Sequence, residues 1–112
     1  MDIIITARLL RNQKTANTFV GYTITCNGVT RGARFRRGTI PEVFANDSTG
    51  AHAFICDIDA LSIGKRNGFD VVYIDGAKIT RGDDSIIQKM REKRVKDAFG
   101  IADEIKNENG EN

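Results

Sequence analysis

Residues 18–35 read TFVGYTITCNGVTRGARF, two strand-forming runs on either side of Asn27 and Gly28. Asn-Gly is the dipeptide selected by a two-residue type I′ turn, because both central positions need φ > 0. So short a loop also sets the register. It places Cys26 opposite Val29, Ile24 opposite Arg31, Tyr22 opposite Ala33 and Val20 opposite Phe35. That face is mostly apolar and is the expected core side. The reverse face pairs Thr25 with Thr30, Thr23 with Gly32, Gly21 with Arg34 and Phe19 with Arg36.

Outward from this hairpin the chain reads as strands followed by a helix. IIITARLL, residues 3–10, alternates with Ile3, Ile5, Ala7 and Leu9 on one side, with Ile3, Ile5 and Leu9 expected in the core, and NQKTAN makes a polar loop. After the hairpin, Pro41 opens a helical turn, PEVFA, and AHAFICDI supplies another strand. DALSIGKRNG is expected as a short helix capped by Asp59 and ended by Gly64 or Gly68. FDVVYI and AKITR, joined at Asp75 and Gly76, are expected as a second hairpin. In it Val72 opposes Ile79, Ile74 opposes Ala77, and Asp70 meets Arg81. Val72, Ile74 and Ile79 complete the expected core.

Asp83, Asp84 and Ser85 precede IIQKMREKRVKDAFGIADEI as candidate helix caps. Val95, Ala98, Phe99, Ala102 and Ile105 recur at helical spacing past the reach of a small sheet, so a two-fold homo-oligomer held by this stripe is expected. The fold class is therefore α+β: a small antiparallel meander or partly open barrel of five or six strands, packed by a C-terminal amphipathic helix. Residues 1–106 form one domain, 1–82 mainly strand and 83–106 helix, and 107–112 form a disordered tail.

At 112 residues the chain is long enough for a core without metal or disulfide staples. Cys26 and Cys56 sit in apolar runs and are expected as free thiols, and with His52 as the single histidine no zinc set can be assembled. No apolar stretch is long enough to span a membrane and no signal peptide opens the chain, so a cytoplasmic setting is expected. IGKR lacks the first glycine and the Ser or Thr of a phosphate-binding loop. Asp57 and Asp59 would share one face of a strand, where a divalent cation can be held, but no second carboxylate cluster joins them. His52 lacks an identifiable nucleophile. A non-enzymatic protein without cofactor, metal or catalytic residues is expected.

Charge is unevenly distributed: residues 1–82 carry a net charge of +4 and residues 83–112 a net charge of −2. RGARFRR, residues 31–37, holds four of the arginines. On the reverse face of the hairpin Arg34 and Arg36 stand with Phe19 over a floor of Gly and Thr, and Arg37 continues the run. An aromatic ring beside arginines stacks bases and holds phosphates. Lys65 and Arg66 add a second basic step. Arg91 and Arg94 interrupt the apolar stripe of the helix, where an arginine snorkels, pairs or meets a ligand in a cleft between subunits.

The expected function is a binding module for a phosphate-rich ligand, single-stranded nucleic acid or a nucleotide, through Phe19, Arg34, Arg36, Arg37, Lys65, Arg66, Arg91 and Arg94. The alternative is a protein-interaction or inhibitor module of the size found in phages and mobile elements, meeting an acidic partner surface.

Overall fold

The computed structural model describes residues 1–89. Seven strands form one open sheet: β1 (Asp2–Arg11), β2 (Thr18–Cys26), β3 (Val29–Phe35), β4 (Gly50–Cys56), β5 (Leu61–Arg66), β6 (Phe69–Ile74) and β7 (Ile79–Arg81). Their order is β5-β6-β3-β2-β1-β4-β7. All neighbours are antiparallel except β3 and β6, which pair in parallel with Ala33, Arg34 and Phe35 beside Val72, Tyr73 and Ile74. A mixed sheet of seven thus replaces the expected meander of five or six.

The first hairpin has the register the Asn-Gly turn dictates, from Cys26–Val29 to Tyr22–Ala33. Asn27 and Gly28 have φ of 51° and 80°, as a type I′ turn requires. The expected pairs Val20–Phe35, Gly21–Arg34 and Phe19–Arg36 do not form. Beyond Ala33 the third strand leaves β2 for β6, because Arg34 and Phe35 find their ladder partners there.

The second hairpin lies elsewhere than expected. Residues 61–66 are strand rather than helix, and β5 pairs with β6 across Asn67 and Gly68, whose φ values of 51° and 82° repeat the first turn. At Asp75 the backbone stays extended and the carboxylate accepts the Ala77 N–H, starting a 3-10 turn over Gly76–Lys78. Gly76 serves close approach: a Cβ there would overlap the Thr39 carbonyl oxygen, and its N–H donates to Thr39 Oγ1 at 3.0 Å. Ile79 accordingly pairs with Cys56 rather than Val72. Asp70 pairs with Lys65 at 2.8 Å, and Arg81 with Asp84 at 3.3 Å.

Two links require the sheet to curl. Cys56 to Leu61 and Ile74 to Ile79 each join strands five places apart in the order, a distance of roughly 24 Å in a flat sheet. Five residues reach at most about 18 Å. The links also touch, since Asp75 N–H donates to the Ala60 carbonyl at 2.9 Å.

Inside the curl lie Ile3, Ile5, Ala7, Ile24, Ala33, Phe44, Phe54, Cys56, Ala60 and Ile74, with Val20, Tyr22, Phe35, Val72 and Ile79 packed against them. Phe44, from the short 3-10 segment Glu42–Asp47, is central. Its ring lies 5.4–6.2 Å from those of His52, Tyr22, Phe54 and Phe35. Burying one such ring is worth roughly 1.5–3 kcal/mol. Leu9, expected inside, is 59% exposed. The β1–β4 ladder stops at Ala7–Gly50, so the end of β1 runs past the core.

A helix starts at Ser85 and is described to residue 89; Ile87 packs on Ile4 and Ala53, on the other face of the sheet. Asp83 caps it by accepting the Ser85 N–H at 2.9 Å. The apolar stripe proposed for oligomer contact, with Arg91 and Arg94 and the tail at 107–112, lies outside the described residues. Among the described residues no helix is long and apolar enough to cross a membrane.

Candidate functional site

The departure of β3 from β2 opens a fork in the sheet. Thr18–Gly21 pair only with Arg8–Arg11 of β1, while Arg34 and Phe35 pair only with β6. Backbone N–H and C=O groups alternate sides along a strand, so some of those of residues 18–21 face the gap unpaired by strand. The fork holds an open groove of about 750 Å³. Phe19, Val20, Gly21 and Tyr22 line it from β2, and Ala33, Arg34 and Phe35 from β3. Asp47 enters from the 3-10 segment, Arg66 and Asn67 from the β5–β6 turn, and Asn12 from the first loop. Because both sheet faces contribute, the groove combines a polar, arginine-bearing side with an aromatic floor. There the Tyr22 and Phe35 rings meet edge to face at 4.9 Å.

Three of the eight expected site residues therefore share one groove: Phe19, Arg34 and Arg66. Phe19 is 49% exposed, so about half of its surface is open to solvent. The side chains of Arg34 and Arg66 are exposed and make no ion pair or hydrogen bond among the described residues. The others lie apart. Arg36 donates from Nη2 to Ser62 Oγ at 3.2 Å, Arg37 is exposed beyond the end of β3, and Lys65 is held by Asp70. Arg91 and Arg94 lie outside the described residues.

Sequence reasoning missed Tyr22 and Asp47 as groove residues, together with Asn12 and Asn67. Asn67 had a signal, since Asn67-Gly68 repeats the dipeptide of the first turn. Asp47 had none local, because the folding of the 3-10 segment over the groove follows from the packing of Phe44. The Tyr22 hydroxyl is pushed above its ordinary pKa by burial first and by the Asp47 carboxylate second, so the two groups sense one another.

The other polar groups singled out in the sequence lie away from the groove. Asp57 and Asp59 do not form a pair on a strand: Asp57 precedes a 3-10 turn over Ile58–Ala60, and Asp59 lies within it, 3.8 Å from Lys78 Nζ. His52 Nδ1 lies 3.0 Å from Asp84 Oδ2, and Asp84 Oδ1 accepts the Ala53 N–H at 2.8 Å. These bonds and Arg81 hold the Asp84 carboxyl down at about 2, the Ala53 N–H contributing most. The cysteines Cys26 and Cys56 are free, Cys56 buried and Cys26 half-buried; burial pushes the Cys56 thiol up. Among the described residues no three His, Cys, Asp or Glu side chains cluster to hold a metal.

No family model, curated protein or solved structure matches this chain.

Proposed function

We propose that this chain binds a phosphate-bearing ligand, single-stranded nucleic acid or a nucleotide, in the fork between β2 and β3. The observation that carries the reading is the convergence of Phe19, Arg34 and Arg66, from three separate segments, on one open groove. The two arginines supply forked donors for phosphate oxygens, and the ring supplies a stacking surface for a base. A volume of about 750 Å³ falls in the range of small-ligand sites. A duplex, about 20 Å across, cannot enter such a groove, whereas a nucleotide or a short stretch of single strand can. Arg36 and Arg37 follow Arg34 along the chain and extend the positive surface beyond it.

The test is fluorescence anisotropy of a labelled single-stranded oligonucleotide titrated over a range of salt. With two phosphates neutralised, log K falls against log salt with a slope of about −1.4, at roughly −0.7 per phosphate. Arg34→Ala removes about 0.7 of that slope. Phe19→Ala weakens binding by about 1–3 kcal/mol and leaves the slope unchanged, because stacking releases no counterions. Absence of affinity for single strands and nucleotides at low salt refutes the reading and leaves the arginine-rich surface to an acidic protein partner.

A further inference from the structure

Arg34 and Arg66 account for phosphate, but the groove also contains a carboxylate. Asp47 lines it without an ion pair or a hydrogen bond to its side chain among the described residues. A carboxylate weakens a groove that takes phosphate alone, and strengthens one that takes a base beside the phosphate. The backbone here is unusual as well. Asn46 and Asp47 have φ of 58° and 60°, two consecutive left-handed residues without a glycine. Asn and Asp are the residue types that tolerate this conformation. The turn therefore fixes where Asp47 enters the groove, whose lining it shares with Phe19, Tyr22 and Phe35.

We infer that Asp47 makes the groove selective for guanine, reading the Watson–Crick edge of a base stacked on Phe19 while Arg34 and Arg66 hold phosphate; this rests on the binding function proposed above. An ionised carboxylate only accepts hydrogen bonds, through two oxygens side by side. Guanine is the base that meets it with two adjacent donors, N1–H and the N2 amino group, in a bidentate pair. Adenine and cytosine offer one amino group next to an acceptor nitrogen, which faces the second carboxylate oxygen unfavourably. Thymine and uracil offer one N–H between two carbonyls. Stacking on Phe19 is indifferent to the base, so it adds affinity without choice. The edge Asp47 reads is free only in a nucleotide or an unpaired strand, the ligands the groove can admit.

The experiment titrates the full chain, by anisotropy, with labelled pentanucleotides of four thymidines around a central guanine, hypoxanthine or adenine. The guanine pentamer is expected to bind about tenfold more tightly than the adenine pentamer. Hypoxanthine keeps N1–H but lacks the N2 amino group, and is expected between them. Asp47→Asn keeps a residue suited to the left-handed turn but replaces one acceptor with a donor. It is expected to bring the three pentamers within about threefold of one another, without weakening the adenine pentamer. If neither the pentamers nor guanosine and adenosine monophosphates bind at low salt, the proposed function fails and the inference fails with it. If all three bind equally to the parent chain, or if Asp47→Asn retains the guanine preference, the inference is overturned while the groove remains a phosphate and base site.

Discussion

Asp84 joins the start of the helix to the sheet, and removing its carboxylate measures what that joint is worth. One oxygen accepts the N–H of Ala53, a fully buried residue, at 2.8 Å, and the other lies 3.0 Å from His52 Nδ1. Arg81 adds two longer contacts at 3.3 Å. In Asp84→Ala the Ala53 N–H loses its acceptor, at a cost of about 1–3 kcal/mol for a buried donor. The Arg81 pair is exposed and adds less than about 1 kcal/mol. The expected loss is thus about 2 kcal/mol, read as a shift in the urea midpoint at pH 7. Asp84→Asn keeps an oxygen for Ala53 and is expected to cost about half as much.

The pH dependence follows from the same contacts. The folded-state pKa of Asp84 is lowered from 3.8 to about 2, so its charge stabilises the fold fully above the unfolded value. That contribution is lost as pH falls through the folded value. Because the side chain is 42% exposed, solvent screening reduces the contribution to about 1 kcal/mol. The stability gap between the parent and Asp84→Asn should therefore shrink between about pH 4 and pH 2. A gap that stays constant over that window, or an Asp84→Ala variant within about 0.5 kcal/mol of the parent, would refute the assignment of Asp84 as the joint.

Three further predictions concern the chain away from this joint. Gly68→Ala forces an L-residue to φ 82° and is expected to cost about 1–2 kcal/mol in urea unfolding. Gly76→Ala, at a position without positive φ, should cost more, about 3 kcal/mol, because its Cβ overlaps the Thr39 carbonyl and breaks the approach of two loops; the reverse order would show that the turn, rather than the contact, governs Gly76. We also propose that Val95, Phe99 and Ile105 belong to a two-fold contact between copies. Sedimentation at micromolar concentration is then expected to give a dimer that Phe99→Asp dissociates, and a monomer for both chains would rule the contact out.

The legible parts of the fold are those decided by neighbours in sequence. Asn27-Gly28 sets its register through Tyr22–Ala33, and the alternation Ile3, Ile5, Ile24, Ile74 marks buried positions. The two dipeptides that follow look equivalent to local reasoning and are not. Asn67-Gly68 lies after LSIGKR, a run with only one β-branched residue and a glycine within it, so a helix ended by glycine fits as well as a strand. Asp75-Gly76 has the composition of a turn, but its conformation is set by Thr39, distant in sequence. Leu9 fits the alternation of its strand, and only the length of β4 reveals that nothing covers it. In the groove, the arginines and Phe19 stand out by type. Which of them meet is decided by pairings between distant strands, and that is why Arg66 joins the groove while Arg36 and Arg37 do not.

The groove and the topology have one origin. The links from β4 to β5 and from β6 to β7 are too short for a flat sheet, so the β5–β6 hairpin must swing towards the β4–β7 side. The third strand is the element between the two parts. Its first residues stay with β2, where the Asn27-Gly28 turn holds them, and its last three follow β6 in parallel. A strand that serves both neighbours in succession leaves a gap opposite each unpaired half. The half that faces β2 carries Arg34, and the swinging hairpin brings Arg66 to the same gap. Positive charge in the fork is therefore a consequence of curling this sheet with these arginines at the third strand and the second turn. Residues 31–37 concentrate arginine at the place where β3 changes partners, and there the Arg34 side chain projects into the fork, exposed and without an ion pair among the described residues.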